Sequence, residues 1–270
     1  MIDERLDVSV VVPVRNAENL VDECLASIVR ARPLEIIVVD GLSTDRTLER
    51  VGRYPVTVLS DGGGGLPAAR LIGARAARSR WVALVDADIV LPDGALAALL
   101  AEASAGGYTA LQAGLHSVAG PGYWGKALVQ HHRSGRSKDW FGVAATIFER
   151  EQLLRYGFDP RFLSGEDIEL RWRLRRAGAK IGVSRATAVT HRFGDSFDFA
   201  KAQWTADGRG LARLIRKHRW RAGWIVMLPL AAGAHGSILA LARRQPQWIP
   251  YYAGFLTFNY AAMLRELLGA

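Results

Sequence analysis

Hydrophobic positions in the first hundred residues form short runs that alternate with segments of helical period. Residues 8–14 are almost wholly apolar and β-branched and contain Pro13 near their end, the pattern of a strand buried on both faces of a parallel sheet. Leu20, Val21, Cys24, Leu25 and Ile28 then recur at helical spacing, with Asn16 placed to cap the helix and residues 30–33 to break it. A second buried strand is predicted at 36–39. It runs into the polar turn Asp40-Gly41-Leu42-Ser43-Thr44-Asp45, whose Ser43 or Thr44 can cap a helix starting near Arg46. A strand at 56–59, a glycine loop at 62–65, an Ala- and Arg-rich helix at 68–77 and a strand at 81–85 complete the series. This alternation predicts an α/β fold with a doubly wound, mostly parallel sheet, in which ligands sit beyond the carboxyl ends of the strands. Asp40 and Asp86 both stand at such ends.

After residue 99 the pattern is less regular: Gly-rich and aromatic stretches over 106–142, a strand at 143–148, a helix at 168–176, and no internal repeat. The last part changes character. Residues 224–242 carry only His235 and Ser237 as polar side chains, and 248–264 are similarly apolar with aromatic residues. Arg209, Arg213, Arg216, Lys217, Arg219 and Arg221 precede them, suited to an anionic cytoplasmic leaflet with Trp220, Trp224 and Trp248 at the interface. Each apolar segment is near the minimum for crossing a bilayer, and Pro229, Gly233 and Gly236 make the first uneven. A hairpin would carry Arg243 and Arg244 across the membrane, so helices lying in the interface compete with it. Packing within a homodimer is a third arrangement for the tail.

Composition narrows this picture only in part. With 270 residues, half of them apolar, the chain can bury a full core. A formal charge of +9 points to an anionic partner, but it does not choose among nucleic acid, anionic lipid and a diphosphate ligand. Much of the basicity sits beside the apolar tail and not in an aromatic-lined groove, which argues against nucleic acid. The single Cys24 excludes a disulfide framework and a cysteine-based zinc site and reads as a small core residue. The N-terminus lacks the basic start and long apolar core of a signal peptide, so the chain is expected to begin in the cytoplasm. A nicotinamide-dependent oxidoreductase is disfavoured because the turn after the first strand lacks Gly-x-Gly-x-x-Gly, and the 62–65 loop follows the third strand.

Asp86-Ala87-Asp88 directly after an apolar strand projects two hard oxygen ligands toward one crevice, which suits Mg2+ or Mn2+ bridging a diphosphate. Alone, the tripeptide also fits a solvated turn with a helix cap before Pro92. Its context is more specific. Val8-Ser9-Val10-Val11-Val12-Pro13-Val14-Arg15-Asn16-Ala17-Glu18, then Ile37-Val38-Val39-Asp40 and Ser43-Thr44-Asp45, resemble the start of a family 2 glycosyltransferase. Ala68-Ala69-Arg70-Leu71-Ile72-Gly73-Ala74 with Val85-Asp86-Ala87-Asp88 is similar to the donor-binding stretch, and Gly157-Phe158-Asp159 with Gly165-Glu166-Asp167 to the acceptor-side motif.

The resemblance spans residues 8–210 and implies a GT-A fold and a metal-dependent, inverting sugar transfer from a nucleotide-diphosphate donor, most commonly a UDP-sugar. Carried over by position, Pro13, Arg15 and Glu18 line the nucleotide pocket, Asp40 bonds the base, and Arg70 and Asp86 help hold the donor. Asp86 and Asp88 hold Mn2+ or Mg2+, with His191, after the strand-like stretch 186–190, completing the metal site. Asp167 is the general base and Glu166 its orienter. The bland alternatives are turn residues at Asp40 and Asp45, an Arg70 that snorkels from its helix, acids that merely start a helix at 166–167, and a structural His191. Leu42 departs from the family, standing where many members have Gly, which bears on base selectivity. Gln203-Trp204 and Gly208-Arg209-Gly210 resemble the later segment, but the full Gln-x-x-Arg-Trp motif of processive synthases is absent, which implies single or few sugar additions. Trp124 and Trp140 can stack on an acceptor or serve as core.

The expected organisation is a catalytic domain at 1–208, with 1–100 binding the nucleotide-sugar and 101–208 facing the acceptor, and a membrane-associated tail at 209–270. The expected acceptor is lipid-linked or membrane-proximal glycan, at the cytoplasmic face of the cell membrane, with the tail peripheral or inserted as a hairpin. The alternative is a nucleotide-sugar-binding or scaffold protein with little turnover, which would keep the pocket while losing base or metal; the presence of both acidic motifs argues against it.

Overall fold

The computed structural model describes residues 5–134 and 141–269. They divide into two compact units, one of 5–116, 141–161 and 167–191, the other of 117–134, 162–166 and 192–269.

The first unit is built on the strands. In chain order the elements are β1 (Leu6–Val14), α1 (Val21–Arg30), β2 (Pro33–Asp40), α2 (Thr47–Val51), β3 (Thr57–Ser60), α3 (Leu66–Ala76), β4 (Trp81–Val85), β5 (Ile89–Val90), α4 (Ala95–Ala105) and β6 (Ala110–Ala119). After α5 (Tyr123–Ser134) come β7 (Ala145–Glu149), α6 (Arg150–Tyr156), α7 (Glu166–Arg176) and β8 (Ile181–Phe193). The eight-stranded sheet has the order β3-β2-β1-β4-β7-β6-β8-β5. β3, β2, β1 and β4 pair in parallel, as the first hundred residues predict. Beyond β4 the sheet is mixed. β7 pairs antiparallel with both β4 and β6, so β6 runs parallel to β4 and β7 fills the gap between them from the opposite direction.

The continuous apolar run of β1 is explained by burial on two faces. Val10, Val12 and Val14 pack with Val21, Cys24, Leu25 and Ile28 of α1, whereas Val11 packs with Ile37, Val39, Ala69 and Ala74. α3 approaches this second face closely: a Cβ on Gly73 would fall 2.3 Å from a Val11 methyl, so only glycine fits.

Two expected helix caps are corrected. α1 begins at Val21, with Leu20 in the cap position, and Asn16 does not cap it. Asn16 instead adopts φ 50°, accepts from the Thr44 N–H at 2.8 Å and donates its own N–H to Ser43 Oγ at 3.0 Å. α2 begins at Thr47, where Asp45 Oδ1 accepts the Thr47 N–H at 3.0 Å, so neither Ser43 nor Thr44 is the cap. Short polar side chains that could cap locally are used here to tie the loops after β1 and β2 together.

The second unit consists of α5 with α8 (Phe197–His218), a 3-10 segment at Arg219–Met227, α9 (Leu228–Ala242), a short 3-10 turn at Pro246–Trp248 and α10 (Ile249–Leu268). The expected boundary at 208/209 falls inside α8. α10 is fastened along α8: a Cβ on Gly208 would lie 2.2 Å from the Asn259 carbonyl oxygen, Arg213 pairs with Glu266 at 3.0 Å, and Trp204 stacks on Phe258 at 6.0 Å. The aromatic content of 248–264 is thus largely core, with Tyr251, Tyr252 and Phe255 buried. Asp195 caps the α5 end, accepting from the N–H of Gly122 and of Gly125. Trp124 belongs to the same aromatic cluster, 4.8 Å from Phe197. Trp140 and the Trp220 side chain lie outside the described residues.

Candidate active site

The centre of the site is the turn after β4. The Asp86 N–H donates to the Ala144 carbonyl at 2.8 Å, which fixes the turn against the segment leading into β7. Its carboxylate meets Arg70 from α3: one guanidinium nitrogen, Nη2, donates to both oxygens, at 2.8 and 2.9 Å. Arg70 does not snorkel; it is 2 % exposed and lies over the Phe158 ring at 5.9 Å.

Asp88 is positioned by strand register. β5 pairs antiparallel with β8, with Ile89 opposite His191, and this places Asp88 Oδ2 3.3 Å from His191 Nε2. The other oxygen, Oδ1, is buried and has no hydrogen-bond partner among the described residues. A buried carboxylate oxygen without a partner, beside an imidazole nitrogen, matches the donor set of a divalent cation. Of the three expected metal ligands, Asp88 and His191 come together. Asp86 is engaged by Arg70, and no cluster of three or more His, Cys, Asp or Glu side chains able to hold a metal occurs among the described residues.

Pro13, Arg15 and Asp40 stand together at neighbouring strand ends. Pro13 is opposite Val39 and Val14 opposite Asp40 in the β1–β2 ladder, and a Cβ on Gly41 would lie 3.4 Å from the Arg15 Cβ. The buried Asp40 carboxylate accepts the Ser43 N–H at 3.2 Å, closing the turn that contains Leu42. Leu42 has φ 61°, a conformation that favours glycine, and is 55 % exposed. Glu18 turns toward α2, where its Oε2 accepts from the backbone and side chain of Arg46 at 3.2 and 3.3 Å.

Asp167 stands in the first turn of α7. A Cβ on Gly142 would come within 3.2 Å of its Oδ2, so the glycine leaves the carboxylate its room. Gly142, beside Asp167, and Ala144, which anchors Asp86, are two residues apart on one segment, at most about 7 Å of chain. The sequence reading missed Gln112, a buried residue of β6 whose Oε1 accepts the Gly142 N–H; its signal was an amide within the apolar run Ala110-Leu111-Gln112-Ala113. It also missed Asp61, which gathers the glycine loop by accepting from Gly63 at 2.7 Å and Gly65 at 2.9 Å. Glu166 is buried and groups with the second unit, Asp167 with the first.

The sequence profile of glycosyl transferase family 2 matches residues 9–156, more than half of the chain. The chain belongs to this family. Among named proteins, this glycosyltransferase is 28% identical over 233 residues to the succinoglycan biosynthesis protein ExoA of Rhizobium meliloti (strain 1021), covering 76% of this chain and 69% of the relative. Its fold is GT-A. It is similar to the mannosyltransferase PcManGT from Pyrobaculum calidifontis, solved with GDP-Man and Mn2+, at TM-score 0.68 and 21% identity over 99% of this chain and 88% of that one. Glucosyl-3-phosphoglycerate synthase from Mycobacterium tuberculosis, solved with Mn2+, UDP and glucosyl-3-phosphoglycerate, matches at TM-score 0.57 and 21% identity over 78% and 79%. The family match includes Asp40, Arg70, Asp86, Asp88 and Gln112 of the glycosyltransferase and ends before Asp167 and His191.

Proposed function

We propose that this glycosyltransferase moves a sugar from a nucleotide-diphosphate donor, a UDP-sugar in the first instance, to a hydroxyl of a lipid-linked or membrane-proximal glycan acceptor, with inversion. The observation that carries the reading is the Asp88–His191 pair with its unpartnered oxygen, two residues after the Arg70-bound Asp86; the room that Gly142 leaves the Asp167 carboxylate, two residues from the Ala144 carbonyl that anchors Asp86, supports it. The succinoglycan-related name of the Rhizobium meliloti relative supports a glycan acceptor, and the nucleotide complexes of the structural neighbours support a nucleotide-sugar donor.

Asp88 and His191 would hold a divalent cation, and a mixed oxygen and imidazole set favours Mn2+ over Mg2+. When bound, the cation offsets charge that grows on the departing diphosphate. Arg70 fixes the Asp86 carboxylate in one orientation, so that it accepts hydrogen bonds from donor hydroxyls without reorganising. Pro13 and Arg15 line the nucleotide pocket, Glu18 stands at its rim with Arg46, and Asp40 accepts from the base. Asp167 takes the proton of the acceptor hydroxyl as that oxygen attacks the anomeric carbon from the face opposite the diphosphate. One bond forms as one breaks, which inverts the centre without a covalent enzyme intermediate. Glu166 orients Asp167. Catalysis resides in 1–208, and 209–270 attach the enzyme to the cytoplasmic leaflet.

The test is nucleotide-diphosphate release from UDP-, GDP- and TDP-sugars with Mn2+, repeated with EDTA, with Asp167→Asn and with Asp88→Asn. Release that requires the metal and is lost in both variants is expected. Tight donor binding without turnover, with lipid acceptors supplied, would overturn the reading in favour of a nucleotide-sugar-binding protein.

A further inference from the structure

Charge in this chain is not spread evenly. Residues 208–265 contain nine of the 35 Lys and Arg and none of the 26 Asp and Glu. That segment therefore carries the entire formal charge of +9, and the rest of the chain balances at 26 of each sign.

Its apolar helix has two unlike faces. Pro229, Gly233, Gly236 and Ala240 are buried on the side toward α10, where a Cβ on Gly233 would lie 2.9 Å from Leu256 and one on Gly236 2.1 Å from the Tyr252 ring. The other face bears Met227, Leu230, Ile238 and Leu241, with Trp224 one turn before them, all exposed; Ile238 is 66% and Leu241 61% accessible. Leu230, Ile238 and Leu241 share one side of α9 at its 3.6-residue period, and Trp224 and Met227, three residues apart, share one side of the 3-10 segment before it. Among the described residues, Arg221–Ala242 is the one helical stretch long and apolar enough to cross a membrane, and 28% of its most apolar 18 residues are buried in the protein.

We propose that the 3-10 segment and α9 form an in-plane docking surface for an anionic bilayer, with Trp224, Met227, Leu230, Ile238 and Leu241 in the acyl boundary and the flanking arginines among the headgroups. This deepens the membrane-attachment part of the proposed function and rests on that part alone.

Three features favour this orientation over a span. α9 itself has 15 residues, about 22 Å, so a span of the roughly 30 Å hydrocarbon layer would have to draw in the 3-10 turns back to the charged Arg221. Both ends are cationic, with Arg219 and Arg221 before it and Arg243 and Arg244 after it; crossing would carry one pair through the hydrocarbon, whereas lying flat leaves both in the headgroup region. Its inner face is seated on α10, which is itself joined to α8 through Arg213 and Glu266, so spanning would require unpacking this unit. A second copy of the chain is disfavoured as the occupant, because it would set one net-basic segment against another.

The experiment is co-sedimentation of the full chain with vesicles of phosphatidylcholine alone and of phosphatidylcholine with phosphatidylglycerol, together with carbonate extraction of membranes from expressing cells. Binding is expected only with phosphatidylglycerol, weakening with salt, and carbonate should release the protein. Ile238→Asp with Leu241→Asp should lower partition at least tenfold, and Arg243→Glu with Arg244→Glu should do so even if the first pair folds poorly. Nucleotide-diphosphate release with soluble acceptors should be unchanged in either pair, which separates failure of this proposal from failure of the catalytic one. Equal binding to neutral vesicles, no binding, retention after carbonate, or a wild-type dimer that these substitutions dissociate would each overturn it.

Discussion

Replacing Arg70 with Met leaves the Asp86 carboxylate without its cation while keeping most of the side-chain volume. Arg70 is almost fully buried, and the Asp86 side chain is 25% exposed. Breaking a buried ion pair from one side costs roughly 3–5 kcal/mol, because the remaining charge stays desolvated. Partial access of water to Asp86 places this case near the lower end, about 3 kcal/mol. For a chain of this size that is a fall in Tm of roughly 6–12 °C. Adding Asp86→Asn removes the stranded charge, so the double variant should regain much of the lost stability. Donor affinity should stay low in both, since the reading assigns donor contacts to Asp86 in its Arg70-held orientation. The pair separates folding from function: urea and thermal unfolding report the first, titration with nucleotide-sugar and Mn2+ the second. An Arg70→Met protein that melts within 2 °C of wild type, or that binds donor as tightly, would refute the account of Asp86 as a carboxylate set by a buried partner.

Leu42→Gly should raise stability by about 0.5–1 kcal/mol, since the left-handed backbone costs a branched residue roughly 1–2 kcal/mol and glycine returns part of that as chain entropy; Leu42 is largely exposed, so little burial is lost, and an unchanged or lower urea midpoint would count against the strain argument. Gly208→Ala should destabilise by about 2–3 kcal/mol through overlap with the Asn259 carbonyl, whereas Gly223→Ala, with nothing within 4 Å of the new Cβ, should fall within about 0.5 kcal/mol of wild type. Equal melting of the two variants would contradict the close approach of α8 and α10. His131 is held neutral by burial, with the nearby His235 acting in the same direction, and its pKa is lowered to about 4. The unfolded chain binds the proton near 6.5, so this contribution is fully present above that pH and is lost as pH falls from 6.5 through 4, about 3 kcal/mol in all. Unfolding curves across that window should flatten in His131→Phe, and an unaltered slope would exclude His131 as the cause.

How much of this was legible beforehand follows from the range of the forces involved. The parallel half of the sheet was written in the sequence, because a strand buried on both faces must be apolar wherever no polar partner reaches it, as Val10 to Val12 are, with the buried Ser9 donating to Glu35, and because helix and strand periods differ within a few residues. The acidic residues at strand ends were legible for the same reason: Asp40 and Asp86 break off apolar runs. Capping residues were misread because Asn16 and Ser43 had partners 27 positions apart in the chain, and no local pattern discloses a bond of that kind. The Asp88–His191 pair depends on a two-residue strand finding its register on β8, and the room beside Asp167 depends on a glycine held by Gln112. Composition could mark 224–242 and 248–264 as equally apolar, but only packing distinguished them. Tyr251, Tyr252 and Phe255 of the second are buried within the unit, while Ile238 and Leu241 of the first face outward. Sequence determines which local conformations and burial patterns are affordable to the chain; which distant side chains meet is decided by the tertiary structure, because registers and close approaches are fixed only when the elements pack.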